Sequence, residues 1–186
     1  MIGKGKSISH GVAALEYDLA KEINGQAVAT EIARHELYGC TGAEMVQEMK
    51  PYHIDFPNVK NNCLRFEVSP SIEESATFTD ADWAELGNDF MQRMGLANHQ
   101  YIIIRHSGTE SKKEQAHLHI LANRVSLSGE LYRDNWIGKK ATEAANAQRD
   151  LDAAVALQKE RAGLVAAIAD LEAVVTVNLE MGRLLS

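Results

Sequence analysis

The polar stretch SGTESKKEQ joins two apolar runs, QYIIIRH and AHLHILANRV, and it is too short to hold a crossover helix. Parallel strands need a connection of about a dozen residues or more, usually helical, so two strands joined this way must be antiparallel neighbours. No other feature limits the fold as much. It demands an antiparallel pair, and it places His106 at the end of one strand beside His117 and His119 at the start of the next. Side chains two apart in a strand share a face. The rings of His117 and His119 are therefore expected side by side, with Leu118 and Ile120 turned to the core.

Three neutral imidazoles facing one point form a site for a divalent ion and leave coordination positions open for a substrate oxygen or water. A histidine pair of this spacing on a strand is common by chance, and the third histidine on the neighbouring strand is what raises the case. The other four of the seven histidines, His10, His35, His53 and His99, read as helical or loop residues at the surface or at helix ends. A zinc hydrolase or a metal-binding β-barrel can use the same triad, although the helical content of the chain disfavours the barrel.

Around this strand pair the chain alternates helices and strands. The segment MIGKGKSIS leaves a short edge strand and a basic arm both open. GVAALEYDLAKE predicts a helix with the stripe Val12, Leu15 and Leu19, ended by Gly25, with Tyr17 off the centre of the stripe. Residues 28–50 predict two helical pieces broken at Gly39 and Gly42. In NCLRFEVSPS, Leu64, Phe66 and Val68 alternate with Arg65, Glu67 and Ser69, the period of a half-buried strand. Thr79 with Asp82 predicts a helix N-cap, and the helix carrying Trp83, Leu86, Phe90 and Met94 stops at Gly95. Four strands and several helices give an α/β (α+β) layering, a central antiparallel sheet covered by helices.

From about Ala141 the composition becomes rich in Ala, Leu and Val. Leu157, Leu164 and Leu171 recur every seven residues, with Ala154, Ile168 and Val175 at companion positions and Arg161 and Asn178 interrupting. The boundaries read as a domain over residues 1–140 and a helical or coiled-coil extension over 141–186. That extension is either a self-association or partner helix, or a helix packed on its own domain.

A net charge of −7 excludes a generally basic, nucleic-acid-coating protein, so any DNA binding must come from local charge. Cys40 and Cys63 show no metal or disulfide spacing. The N-terminal lysines are not followed by an apolar segment, and no apolar run is long enough for a bilayer. The expectation is a cytoplasmic protein with reduced cysteines and no membrane insertion.

Taken together, the motifs resemble those of conjugative relaxases, the plasmid mobilization nucleases of the HUH endonuclease superfamily. RHSGTESKKEQAHLHILANRV is similar to their three-histidine motif at His106, His117, His119 and Asn123. GVAALEYDL resembles the opening helix that carries the nucleophilic tyrosine, here Tyr17. LRFEVSPS resembles the strand ending in Ser-Pro near the DNA, here Ser69. The similarity runs from the N-terminus to about residue 136, with order and spacing of three motifs in agreement. One position departs: Gly108 stands where the family often has an aspartate. Glu67 is the candidate carboxylate in its place, with Glu110 and Glu114 as alternatives.

The resemblance implies a single-strand DNA endonuclease and transesterase acting at an origin of transfer on a plasmid. Tyr17 attacks the scissile phosphate, leaving a 5′-phosphotyrosine and a free 3′-hydroxyl, and the bond energy is kept for rejoining. The implied cofactor is Mg²⁺ or Mn²⁺; all-imidazole ligation suits Mn²⁺ and later metals better than Mg²⁺. Phenols are protonated near neutral pH, so the nucleophile needs the cation's field or a base. Lys112 and Lys113 in the loop, Arg124, Ser69 and Asn123 are the candidate DNA contacts, with Lys4, Lys6, Arg65, Arg105 and Arg133 nearby in the motifs. Implied partners are single-stranded or hairpin origin DNA, accessory mobilization proteins and a type IV secretion coupling protein. His10 is a lesser alternative nucleophile, and Tyr101 reads as core. The rival functions are a metal-dependent hydrolase acting through a bound water and a non-catalytic relaxase-like DNA-binding module.

Overall fold

The computed structural model describes residues 1–108 and 115–184. The chain divides into two compact units, Met1–Gln148 and Arg149–Ser186. In the first, five strands form one antiparallel sheet in the order β1-β5-β7-β6-β4. They are β1 (Ile2–Ile8), β4 (Ala29–His35), β5 (Cys63–Ser69), β6 (His99–His106) and β7 (His117–Ser126), and a two-strand hairpin, β2 (Glu22–Ile23) and β3 (Gln26–Ala27), stands apart. The helices are α1 (Gly11–Leu19), α2 (Gly42–Met49), the single turn α3 (Ile72–Ser75), α4 (Asp80–Arg93) and α5 (Ile137–Leu184). This is the mixed α/β layering read from the sequence, with β6 and β7 paired antiparallel and His106 opposite His117.

Both faces of the sheet are covered. On one, Leu64, Phe66, Ile103, Leu118 and Ile120 pack against Trp83, Phe90 and Met91 of α4 and against Ala141, Ala144 and Ala145 of α5. Gly3 of β1 permits this approach, since a Cβ there would lie 2.2 Å from the Ala141 carbonyl oxygen. On the other face, Cys63, Ile102, Ile104 and Leu121 meet Ala14 and Leu15 of α1 and Met45, Val46 and Met49 of α2. The histidines lie at the end of this second core. Leu118 and Ile120 fill the first, as the strand period requires.

Several expectations need correction. The residues of β4, ATEIARH, are mostly adequate helix formers and were expected in a helix. Helix propensities differ by less than about 1 kcal/mol per residue, and pairing with β6 along the sheet edge overrides them. The segment MIGKGKSIS resolves as the edge strand β1. Helix α1 ends at Leu19, six residues before Gly25, because Asn24 and Gly25 take φ values of 54° and 74° and turn the β2–β3 hairpin. Two positive φ values in sequence are the signature of a tight hairpin turn that Asn-Gly favours. The buried stripe of α1 is Gly11, Ala14, Leu15 and Asp18, so Val12 is exposed. His35 and His99 lie in strands, and His99 is buried. The Thr79 cap of α4 with Asp82, and Gly95 at φ 73° after the helix, follow the sequence reading.

In the second unit, residues 149–184 of α5 are helical, and Leu157, Leu164, Val165 and Ile168 are exposed. No helix among the described residues is long and apolar enough to cross a membrane.

Candidate metal centre

Antiparallel pairing puts His106 of β6 opposite His117 of β7, and His119 stands two residues further along the same face. One ligand atom from each of these histidines lies within 4.8 Å of the others. The ring centroids of His106 and His119 are 4.4 Å apart, and those of His117 and His119 are 4.9 Å apart. The Nε2 atoms of His117 and His119 are separated by 3.1 Å. Two imidazole nitrogens at about 2.1 Å from one ion, at near-octahedral to tetrahedral angles, stand roughly 3.0–3.4 Å apart. The donor set suits a divalent cation, the His117–His119 pair stands at that spacing, and the His106 ligand atom lies within 4.8 Å of both.

Burial favours the neutral form of His119 and His106. It pushes His119 down to about 2, helped by the neighbouring His106 and His117 and by the positive charge of Arg65 and Lys4. His106 is also lowered, chiefly by burial and then by His117 and Lys21, against the opposing hydrogen bond to Asp18. Neutral imidazoles keep the lone pairs that a cation needs.

These shifts predict a stability change with a definite sign. The unfolded chain takes up protons on such histidines below about pH 6.5, and the folded chain refuses them. The stability is whole above that pH and is lost as pH falls toward the folded values, by at most about 1.4 kcal/mol per pH unit for each such group. In a metal chelator, the urea midpoint is expected to be lower at pH 5 than at pH 7.5; an equal midpoint would contradict the burial of neutral rings.

Helix α1 reaches the triad at its C-terminal end. The last carbonyls of a helix lack helical partners, and that of Asp18 accepts Nε2–H of His106 at 2.7 Å. The Asp18 carboxylate, 1% exposed, takes Nε and Nη2 of Arg65 at 3.0 and 2.5 Å. Its Oδ1 lies 3.8 Å from Nδ1 of His119, and Arg65 Nη2 lies 3.4 Å from the same nitrogen. Asp18 was missed in the sequence. Its signal was the spacing: position 18 continues the buried series 11, 14, 15. Tyr17, the preceding residue, is 57% exposed, and its hydroxyl accepts a hydrogen bond from Lys21 Nζ at 2.7 Å.

Beside the triad, Lys4, Lys6, Arg65, Glu67 and His119 line a groove of about 190 Å³. Its floor is the β1–β5 pair, where Lys4 stands opposite Glu67 and Glu67 opposite His119. Glu67 holds Lys4 at 2.8 Å. Ser69, buried, follows along the same face of β5. The groove thus gathers Lys4, Lys6 and Arg65 with one carboxylate, Glu67, on an acidic protein.

Two of the candidate DNA contacts make internal hydrogen bonds. Asn123 is fully buried, four residues along β7 from His119 and so about 13 Å away. Its amide donates to the Met49 carbonyl and Gln100 Oε1, and its oxygen accepts from Val125 N–H. Arg124 points to the opposite face, where it donates to the Tyr132 and Asn61 carbonyls and pairs with Asp134 at 2.6 Å. Lys112, Lys113, Glu110 and Glu114 lie outside the described residues. Tyr101 is core, as read, with its hydroxyl on Asn88.

A search of curated proteins found no match. A family model for relaxases, described as MobA/VirD2-like, nuclease domain, matches residues 17–150, a span that opens on Tyr17 and takes in β4 to β7 with all three histidines. By that match over well more than half its length, the chain belongs to the relaxase family, with the histidine triad of the HUH type at its centre.

Proposed function

We propose that this relaxase nicks one strand of single-stranded or hairpin DNA at an origin of transfer, with Tyr17 as the nucleophile. The observation that carries the reading is the triad itself, whose His106 is held by the residue that follows Tyr17 in the chain. In this mechanism the Tyr17 oxygen bonds to phosphorus, the bond from phosphorus to the 3′-oxygen breaks, and the departing oxygen takes a proton. The product is a 5′-phosphotyrosine and a free 3′-hydroxyl, and the reverse attack rejoins the strand. A divalent ion on His106, His117 and His119, Mn²⁺ or Mg²⁺, supplies charge withdrawal from the phosphate oxygens.

The protein's own groups do the rest. Lys21 donates to the Tyr17 hydroxyl and so holds the attacking oxygen in position. Lys4 and Lys6 offer positive charge to the backbone of the strand in the groove, which accounts for DNA binding by a chain of net charge −7. Ser69 lies beside the same path. We assign Glu67 the proton-accepting role. The exposed apolar residues Val155, Leu157, Leu164, Val165 and Ile168 suit self-association or docking of accessory mobilization proteins, and delivery of the nicked strand falls to a type IV secretion coupling protein in the cytoplasm.

The test is an incubation of the chain with Mn²⁺ and single-stranded origin oligonucleotides, run on a denaturing gel. A protein–DNA adduct is expected. Cleavage without an adduct points to a metal-dependent hydrolase using bound water, and binding without cleavage to a non-catalytic module; either result overturns the proposal.

A further inference from the structure

We propose that Asp18 is the positioning residue of the metal centre, holding His106 through its backbone carbonyl and His119 through its carboxylate. This rests on the reading of the three histidines as metal ligands. The rest of the buried stripe of α1, Gly11, Ala14 and Leu15, is small or apolar, and Asp18 completes it at 1% exposure. A buried carboxylate is costly unless paired and hydrogen-bonded. The groups that meet this one are Arg65 and His119, and its carbonyl meets His106. One residue therefore hydrogen-bonds one candidate ligand and stands 3.8 Å from a second.

The assignment to His119 follows from tautomers. The Nε2 atoms of His117 and His119, 3.1 Å apart, face one another. His117 donates from Nδ1 to the Gln115 carbonyl at 3.2 Å, which leaves its Nε2 with the lone pair. For His119 to offer a lone pair at Nε2 as well, its proton must sit on Nδ1. Two groups face that nitrogen. The Arg65 guanidinium only donates, so it has nothing to accept from an Nδ1–H. The Asp18 carboxylate only accepts, and its Oδ1 stands 3.8 Å from that nitrogen. A carboxylate behind a ligating histidine fixes the ring and its tautomer and raises the basicity of the ligand nitrogen.

Glu67 is the competing carboxylate. It stands opposite His119 across the strand pair, but it is a third exposed, faces the groove and is bound to Lys4. Arg65 completes the arrangement by fixing both Asp18 oxygens. Because Tyr17 precedes Asp18, the contacts that orient the ligands also fix the register of the nucleophile's helix against them.

Calorimetric titration of Mn²⁺ into the full chain tests this without any nicking. Asp18→Leu is expected to weaken Mn²⁺ binding by about 10- to 100-fold, and Asp18→Asn, which keeps an acceptor oxygen, to recover part of the loss. Glu67→Gln is expected to stay within about twofold of the parent, on the same scale. If Asp18 merely partnered Arg65, the double variant Asp18→Leu/Arg65→Met, which removes the ion pair from both sides, would regain parental affinity; the proposal expects it to remain weak. A folded Asp18→Leu or double variant with parental affinity overturns the role of Asp18 alone, provided that the parent binds Mn²⁺ and His117→Ala does not. A parent chain that binds no Mn²⁺ overturns the metal reading and this inference together.

Discussion

Tyr17→Phe is expected to abolish the covalent protein–DNA adduct and to slow strand cleavage by on the order of 10³-fold or more, the scale on which loss of an enzymic nucleophile acts. The substitution removes one oxygen from a side chain that is 57% exposed and leaves its ring in place. No buried polar group loses a partner, and Lys21, half-buried, can turn to water. Fold stability should therefore hold within about 0.5 kcal/mol, as for most exposed changes. The groove beside the triad and the histidines are untouched, so oligonucleotide affinity should change little. The measurement is a denaturing gel beside a binding isotherm on the same preparation. An adduct of undiminished yield in Tyr17→Phe would transfer the nucleophile to another residue, with His10 the alternative to test.

His119→Ala carries the second large effect. His119 is the member of the triad that borders the groove, and it contacts both His117 and Arg65. Its removal leaves two candidate ligands. Loss of a ligand should exceed the 10- to 100-fold seen when outer groups are lost, so Mn²⁺ binding is expected to weaken by more than about 100-fold. Nicking should vanish with it. The Arg65–Asp18 pair survives the change, and so does the Asp18 carbonyl bond to His106, so the domain should fold. With Lys4 and Lys6 as the proposed backbone contacts, DNA binding should be retained within a few-fold while the salt dependence of the parent persists. Full nicking activity in this variant would remove His119 from the ligand set.

The site was legible in the sequence where one local rule decided it. The short polar connection allowed only antiparallel pairing, and period two put His117 and His119 on one face, so the triad could be assembled without coordinates. The alternation of Leu64, Phe66 and Val68 marked β5 for the same reason. Elements whose identity depends on a distant partner were not legible. ATEIARH lacks a decisive period, and only the presence of β6 makes it a strand. Asn123 and Arg124 look like DNA contacts beside the motif. Asn123 lies four residues along the strand from His119, Arg124 faces the opposite side, and both make internal hydrogen bonds that no local rule foretold. Asp18 was hidden by a stripe placed one residue out of phase: with Val12 and Leu19 as its edges the helix turned Asp18 to solvent, whereas Gly11, Ala14 and Leu15 turn it inward.

A single divalent ion shared by imidazoles of β6 and β7 underlies the proposed chemistry. Anomalous diffraction from crystals grown with Mn²⁺ addresses it most directly. One strong peak is expected, with nitrogens of His106, His117 and His119 each roughly 2.1 Å from it. A peak bound elsewhere, or one that leaves any of the three rings turned away, would contradict it.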